Sequence, residues 1–93
     1  MTEYEITKAV LHKLGYHLIE DYYAENKCFF DPCNNAQQAW EIMLANNISI
    51  VELSGSYEAY HNLIVNSFDD CEYDLVSMNA RPFVAAMLLF LEI

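Results

Sequence analysis

Positive charge is what this chain lacks most. Three lysines (Lys8, Lys13, Lys27) and one arginine (Arg81) face fourteen Asp and Glu residues, a formal net charge of -10. Direct nucleic-acid binding therefore starts with the wrong sign, because it depends on cations that displace counterions from phosphates. Glycine is equally scarce: Gly15 and Gly55 are the only two, which excludes a glycine-rich phosphate loop. Three cysteines (Cys28, Cys33, Cys71) are an odd number and predict reduced thiols rather than a disulfide framework. The longest apolar run, residues 83–91, is about half of the roughly 20 residues a membrane span needs. The opening residues Met1-Thr2-Glu3-Tyr4-Glu5 are too acidic for a secretory leader.

What is present is globular. At 93 residues, 55% hydrophobic and 14% aromatic, the composition predicts one compact domain, residues 1–93, and not an acidic disordered tail. A domain this small buries only about 60–65% of its unfolded surface, so a partner or self-association would add useful stability.

Local patterns predict an α+β fold of about three helices packed on a small antiparallel sheet of three to five strands. Thr2 with Glu5 forms a capping-box pattern, Ile6, Val10 and Leu14 share one stripe, and Gly15 is placed to end the first helix. Residues 16–23 are aromatic and β-branched and read as extended, with a turn at Ala24-Glu25-Asn26 and a return strand over residues 27–30. The second helix starts at Asn34 or Asn35. Its stripe of Ala36, Ala39, Trp40, Met43 and Leu44 puts Trp40 at the centre of the core, and Asn46-Asn47 ends it.

Three strands follow, over residues 48–53, 57–65 and 71–76, with turns at Ser54-Gly55-Ser56 and residues 66–69. The last helix begins near Asn79 with Pro82 in its first turn and is apolar nearly all round. Such a helix is covered on more than one side. Either the sheet and other helices cover it, or a second copy does, in which case Leu88, Leu89 and Phe90 are the dimer contacts.

Catalytic chemistry finds little support. Cys28 and Cys33, with Cys71, His12, His17 or His61, lack the paired spacing of a zinc site, and Cys28 reads as core. Cys33 precedes a helix, but Asp31 favours its protonated thiol. No catalytic, metal or cofactor residues are therefore expected, and the chain is read as a non-enzyme.

The negative charge is more informative. Glu20, Asp21 and Glu25 form one cluster, and Asp69, Asp70, Glu72 and Asp74 another. On one continuous strand Asp70, Glu72 and Asp74 would form a phosphate-like row repeating about every 6.6–6.8 Å. Tyr57 and Tyr60, with Tyr22 and Tyr23, would add flat contact area. The plainer alternative is a solvated outer face that keeps the strand from aggregating.

Several segments resemble the NinX family of small lambdoid-phage accessory proteins. They are residues 4–10 (YEITKAV), residues 29–43 (FFDPCNNAQQAWEIM), Ile48-Ser49-Ile50, Tyr57-Glu58-Ala59-Tyr60, and Asn79 with residues 85–91. Ala36 and Glu41 stand where that family often has proline, and Pro82 is displaced from the family's Asn-Pro. The resemblance implies a phage origin and action in the cytoplasm of the infected bacterium, with no reaction to carry over.

Together these features predict a non-catalytic protein that binds a partner with a basic surface. One target class is a host-defence complex of the CRISPR or restriction type, blocked by nucleic-acid mimicry. Asp69, Asp70, Glu72, Asp74, Glu20, Asp21, Tyr57 and Tyr60 are the candidate contacts. Membrane and direct nucleic-acid partners are not expected. A homodimer through the last helix, with charge serving solubility alone, is the alternative.

Overall fold

The computed structural model describes residues 1–93 and shows an α+β fold with four helices rather than three. In chain order the elements are α1 (Glu3–Lys13), α2 (Ile19–Asn26), α3 (Ala36–Ala45), β1 (Ile48–Leu53), β2 (Ser56–His61), β3 (Ile64–Ser67), β4 (Asp70–Glu72), β5 (Leu75–Asn79) and α4 (Pro82–Glu92).

The first helix forms as its sequence dictates. The Thr2 hydroxyl accepts from the Glu5 backbone N–H at 3.2 Å and the Glu5 carboxylate accepts from the Thr2 N–H at 3.0 Å, which satisfies two orphan donors. Ile6, Val10 and Leu11 are its buried face, whereas Leu14 of the expected stripe is the C-cap and is exposed.

The segment expected to be extended is instead helical over α2. The Leu18 N–H donates to Asp21 Oδ2 at 3.3 Å, and Glu20 and Asp21 occupy the first turn, where negative charge is favoured. Tyr22 turns inward onto Phe30, with ring centroids 4.7 Å apart, and onto Tyr16 at 5.2 Å. Residues 27–30 form no strand, and Lys27 closes the helix in a left-handed conformation at φ 60°.

In α3 the Asn35 side chain accepts from the Gln38 N–H at 3.0 Å. The buried face is Gln38, Ala39, Ile42 and Met43, whereas Trp40 is 54% exposed and Ala36 and Leu44 also face solvent. Trp40 is therefore not the centre of the core. Gln38 takes the inward place because its amide is fully used. It accepts from the Asp31 N–H at 2.6 Å and donates to the Phe29 carbonyl at 2.7 Å.

Strands β1, β2 and β5 form a three-stranded antiparallel sheet in that order, while β3 and β4 form a separate two-stranded ribbon. The β1–β2 turn holds Gly55 at φ 79°, a conformation that side chains resist. Ile50 stands opposite Ala59, which stands opposite Ser77. Ala59 is fully buried, so this row faces the core.

Two of the three strands expected from sequence are broken. Residues 57–65 divide into β2 and β3 at Asn62, which adopts a left-handed φ of 57°. Residues 71–76 divide between β4 and β5 at Tyr73 and Asp74. The ribbon is thus an excursion between two paired strands of the main sheet.

Helix α4 closes the fold. Its N-cap is Arg81, not Asn79; the Asn79 side chain accepts from the Arg81 N–H at 3.0 Å, and Pro82 opens the helix. Val84, Ala85, Ala86, Met87, Leu89 and Phe90 are buried where α4 packs on the sheet, α1 and α3. Burial of each large apolar side chain contributes about 1.5–3 kcal/mol, which makes this helix the main apolar anchor. Lys13 Nζ sits 4.7 Å from the centroid of the Phe90 ring. Of the three expected dimer contacts, Leu89 and Phe90 lie inside the protein's own core and Leu88 is half-buried. The chain's own sheet and helices provide the cover that an all-apolar helix needs.

Candidate acidic interface

The sheet and the ribbon share a compositional feature that the helical half does not. Residues 48–79 carry Glu52, Glu58, Asp69, Asp70, Glu72 and Asp74 and no Lys or Arg. The four cations lie on α1, just past α2 and beside α4. Arg81 is already engaged by Glu3 and by the Asn34 side chain.

The ribbon presents the second acidic cluster in two parts. Asp70 and Glu72 belong to β4, facing Ser67 and Ile64 respectively, and Asp69 lies in the turn beside Phe68. All three acidic residues are exposed. Asp74 does not continue the row. It lies beyond the end of β4, where its Oδ2 accepts from Asn62 Nδ2 at 2.7 Å and its backbone N–H donates to the His61 carbonyl at 2.9 Å. The evenly spaced row of three carboxylates is therefore reduced to a pair on the ribbon, and Asp74 holds the neck.

The first acidic cluster is elsewhere. Glu20 and Asp21 stand on the first turn of α2, and Glu25 accepts the Tyr16 hydroxyl at 2.8 Å. Glu20 lines a cleft of about 590 Å³ that also contains Glu3, Asp31, Lys8, His12 and His17. Charges of both signs meet there, so the cleft has no uniformly anionic field.

Tyr57 and Tyr60 do not share a surface. Alternation about the buried Ala59 puts Tyr57 on the core side and Tyr60 on the open side of the sheet. Tyr60 donates its hydroxyl to Glu58 and packs edge-on against Tyr73, with centroids 4.9 Å apart. Val51, Val76 and Met78 share that open face and are 38%, 41% and 60% exposed.

Three exposed apolar residues of the ribbon were not among the expected contacts. Phe68 at the ribbon tip has a relative exposure of 101%, and Ile64 and Val65 on the shaft reach 55% and 69%. The available signal was the place of Phe68 in the turn expected over residues 66–69, because turns run over the surface.

The cysteines divide differently from the expectation. Cys28 is exposed, not core, as is Cys71, while Cys33 is buried. Burial pushes the Cys33 thiol up; the Thr7 hydroxyl, 3.8 Å from Sγ, opposes this, and Asp31 adds to it. That environment disfavours the thiolate a nucleophile requires. No group of three or more His, Cys, Asp or Glu side chains converges as a metal site would require. No helix is long and apolar enough to cross a membrane.

Among known proteins, neither the curated sequences nor the solved structures gave a match. The family model described as Bacteriophage P22, NinX matches residues 2–92. That match spans the opening helix, the Asp-Pro-Cys-Asn-Asn segment, the sheet, the ribbon and the closing helix, and the chain belongs to the NinX family of phage proteins.

Proposed function

We propose that this small phage accessory protein acts without catalysis in the host cytoplasm, by binding a partner protein through the acidic sheet and ribbon. The observation that carries this reading is the complete lack of Lys and Arg over residues 48–79, where Glu52, Glu58, Asp69, Asp70, Glu72 and Asp74 remain. A surface of one sign steers an oppositely charged partner toward it and weakens with salt. The partner class that fits is a basic, nucleic-acid-processing complex, with a host-defence nuclease as the sharper version. Asp70 and Glu72 would then stand where phosphates otherwise bind.

Affinity capture from infected cells at low and high salt tests this, using the wild type and a D70K/E72K variant. Both substitutions fall on exposed positions, so circular dichroism should stay unchanged. Capture of a basic complex by the wild type at low salt, lost at high salt and lost in the variant, is the expected outcome. Equal capture by the two proteins would eliminate the acidic surface as the binding site.

A further inference from the structure

We propose that the β3–β4 ribbon is the docking element of this surface, with Phe68 entering an apolar socket that Lys and Arg side chains rim on a partner protein; the proposal rests on the acidic-surface reading above. An isolated two-stranded hairpin is marginal in water and normally needs a covered apolar face. This ribbon has none. Ile64 pairs with Glu72 and Val65 with Cys71, so the two shaft residues point to opposite sides, and both are exposed. Phe68 touches solvent on every side. A ribbon serving only as a connection would gain from polar residues at these positions, whereas a large aromatic side chain at a protruding tip is the kind of anchor that dominates interface energies.

The charge around that anchor identifies its occupant. Asp69 and Asp70 follow Phe68 directly and Glu72 stands on the same strand, with no Lys or Arg nearer in sequence than Arg81. A second copy of this chain is a poor occupant, since it also carries a net charge of -10 and its Arg81 is held by Glu3 and Asn34. A basic socket complements both features at once. The ribbon is also held in place before binding. Asn62 donates to Asp74 and accepts from Asn47 Nδ2 at 2.8 Å, which fixes the neck and reduces the conformational freedom lost on association.

A benzophenone-bearing amino acid in place of Phe68, with Trp40 as the control position, provides the test in infected cells. The cross-linked protein is identified, purified and titrated against wild type, F68S and D70K/E72K at low and high salt. The expected result is an adduct at position 68 with a basic protein and a loss of about tenfold or more for F68S at both salt concentrations. D70K/E72K should lose affinity mainly at low salt. Absence of an adduct at 68, an adduct with a second copy or with an acidic protein, or F68S binding like wild type overturns the ribbon anchor. If F68S binds normally but the charge reversal does not, the acidic surface stands without the anchor. Unchanged binding by both variants removes both readings.

Discussion

Asn62 and Asp74 close the neck of the ribbon across the main sheet: the Asn62 amide donates to Asp74 Oδ2 at 2.7 Å, just below the pairing of His61 with Leu75. Asn62 also donates its backbone N–H to the Asn47 carbonyl at 3.0 Å and accepts from the Asn47 amide. Both asparagines are left-handed, at φ 57° and 54°. Asn is one of the few side-chain residues that adopts this conformation readily, and here its side chain supplies the bonds that glycine could not.

Replacing Asn62 separates these two contributions. N62G keeps the backbone conformation and loses the side-chain bonds, about 1–2 kcal/mol. N62V loses the bonds and adds the left-handed penalty, about 1–2 kcal/mol more. Urea unfolding should rank them in that order. Equal stability of the two variants would show that the backbone conformation at this position is unimportant.

Helix α3 provides a second comparison. W40A should cost only about 1 kcal/mol, because just over half of Trp40 lies in solvent. M43A, one turn on and fully buried, should cost about 2–5 kcal/mol. A larger loss from W40A would mean that the helix is rotated from the orientation described.

The thiols and the buried phenol predict reactivity and alkaline behaviour. A disulfide reagent at neutral pH should modify Cys28 and Cys71 rapidly and Cys33 only on unfolding. Burial, joined by the Cys28 side chain, also raises Tyr22. Raised values for Cys33 and Tyr22 mean that the folded state holds these protons more tightly than the unfolded chain. Their contribution is complete at pH values below the ordinary thiol and phenol ranges and is lost as pH rises through the raised values. Melting temperature followed across the alkaline range checks the sign; a rise in stability there would contradict it.

The elements legible in the sequence are those with strong local chemistry. Thr2 and Glu5 marked α1, the Asn34-Asn35 pair marked the start of α3, Gly55 marked the tight turn, and the apolar closing helix announced its own burial. The failures have a common physical cause, in that tertiary contacts chose between local options. Residues 16–23 carry extended-strand propensity, yet Tyr22 packing on Phe30 and Tyr16 rewards a helix. Either flank of the Ala39–Met43 stripe could have turned inward, and the satisfied amide of Gln38 decided against Trp40 and Leu44.

The candidate interface was only partly legible. Its carboxylates were visible as a run, but their geometry depended on the left-handed turn at Asn62 and the break at Tyr73-Asp74. Those breaks separate Asp74 from Asp70 and Glu72, and strand alternation separates Tyr57 from Tyr60. Phe68 lies within the turn expected over residues 66–69, but its complete exposure follows from a ribbon that has no covered face.

The segregation of Lys8, Lys13, Lys27 and Arg81 away from the sheet and ribbon also decides which probes can see a bound protein. Amine-directed labels and trypsin act only at the helical end, so masking of the opposite end would escape them. Footprinting there calls for carboxylate-directed reagents or proteases that cut after aromatic residues, for which Phe68 is the most accessible target.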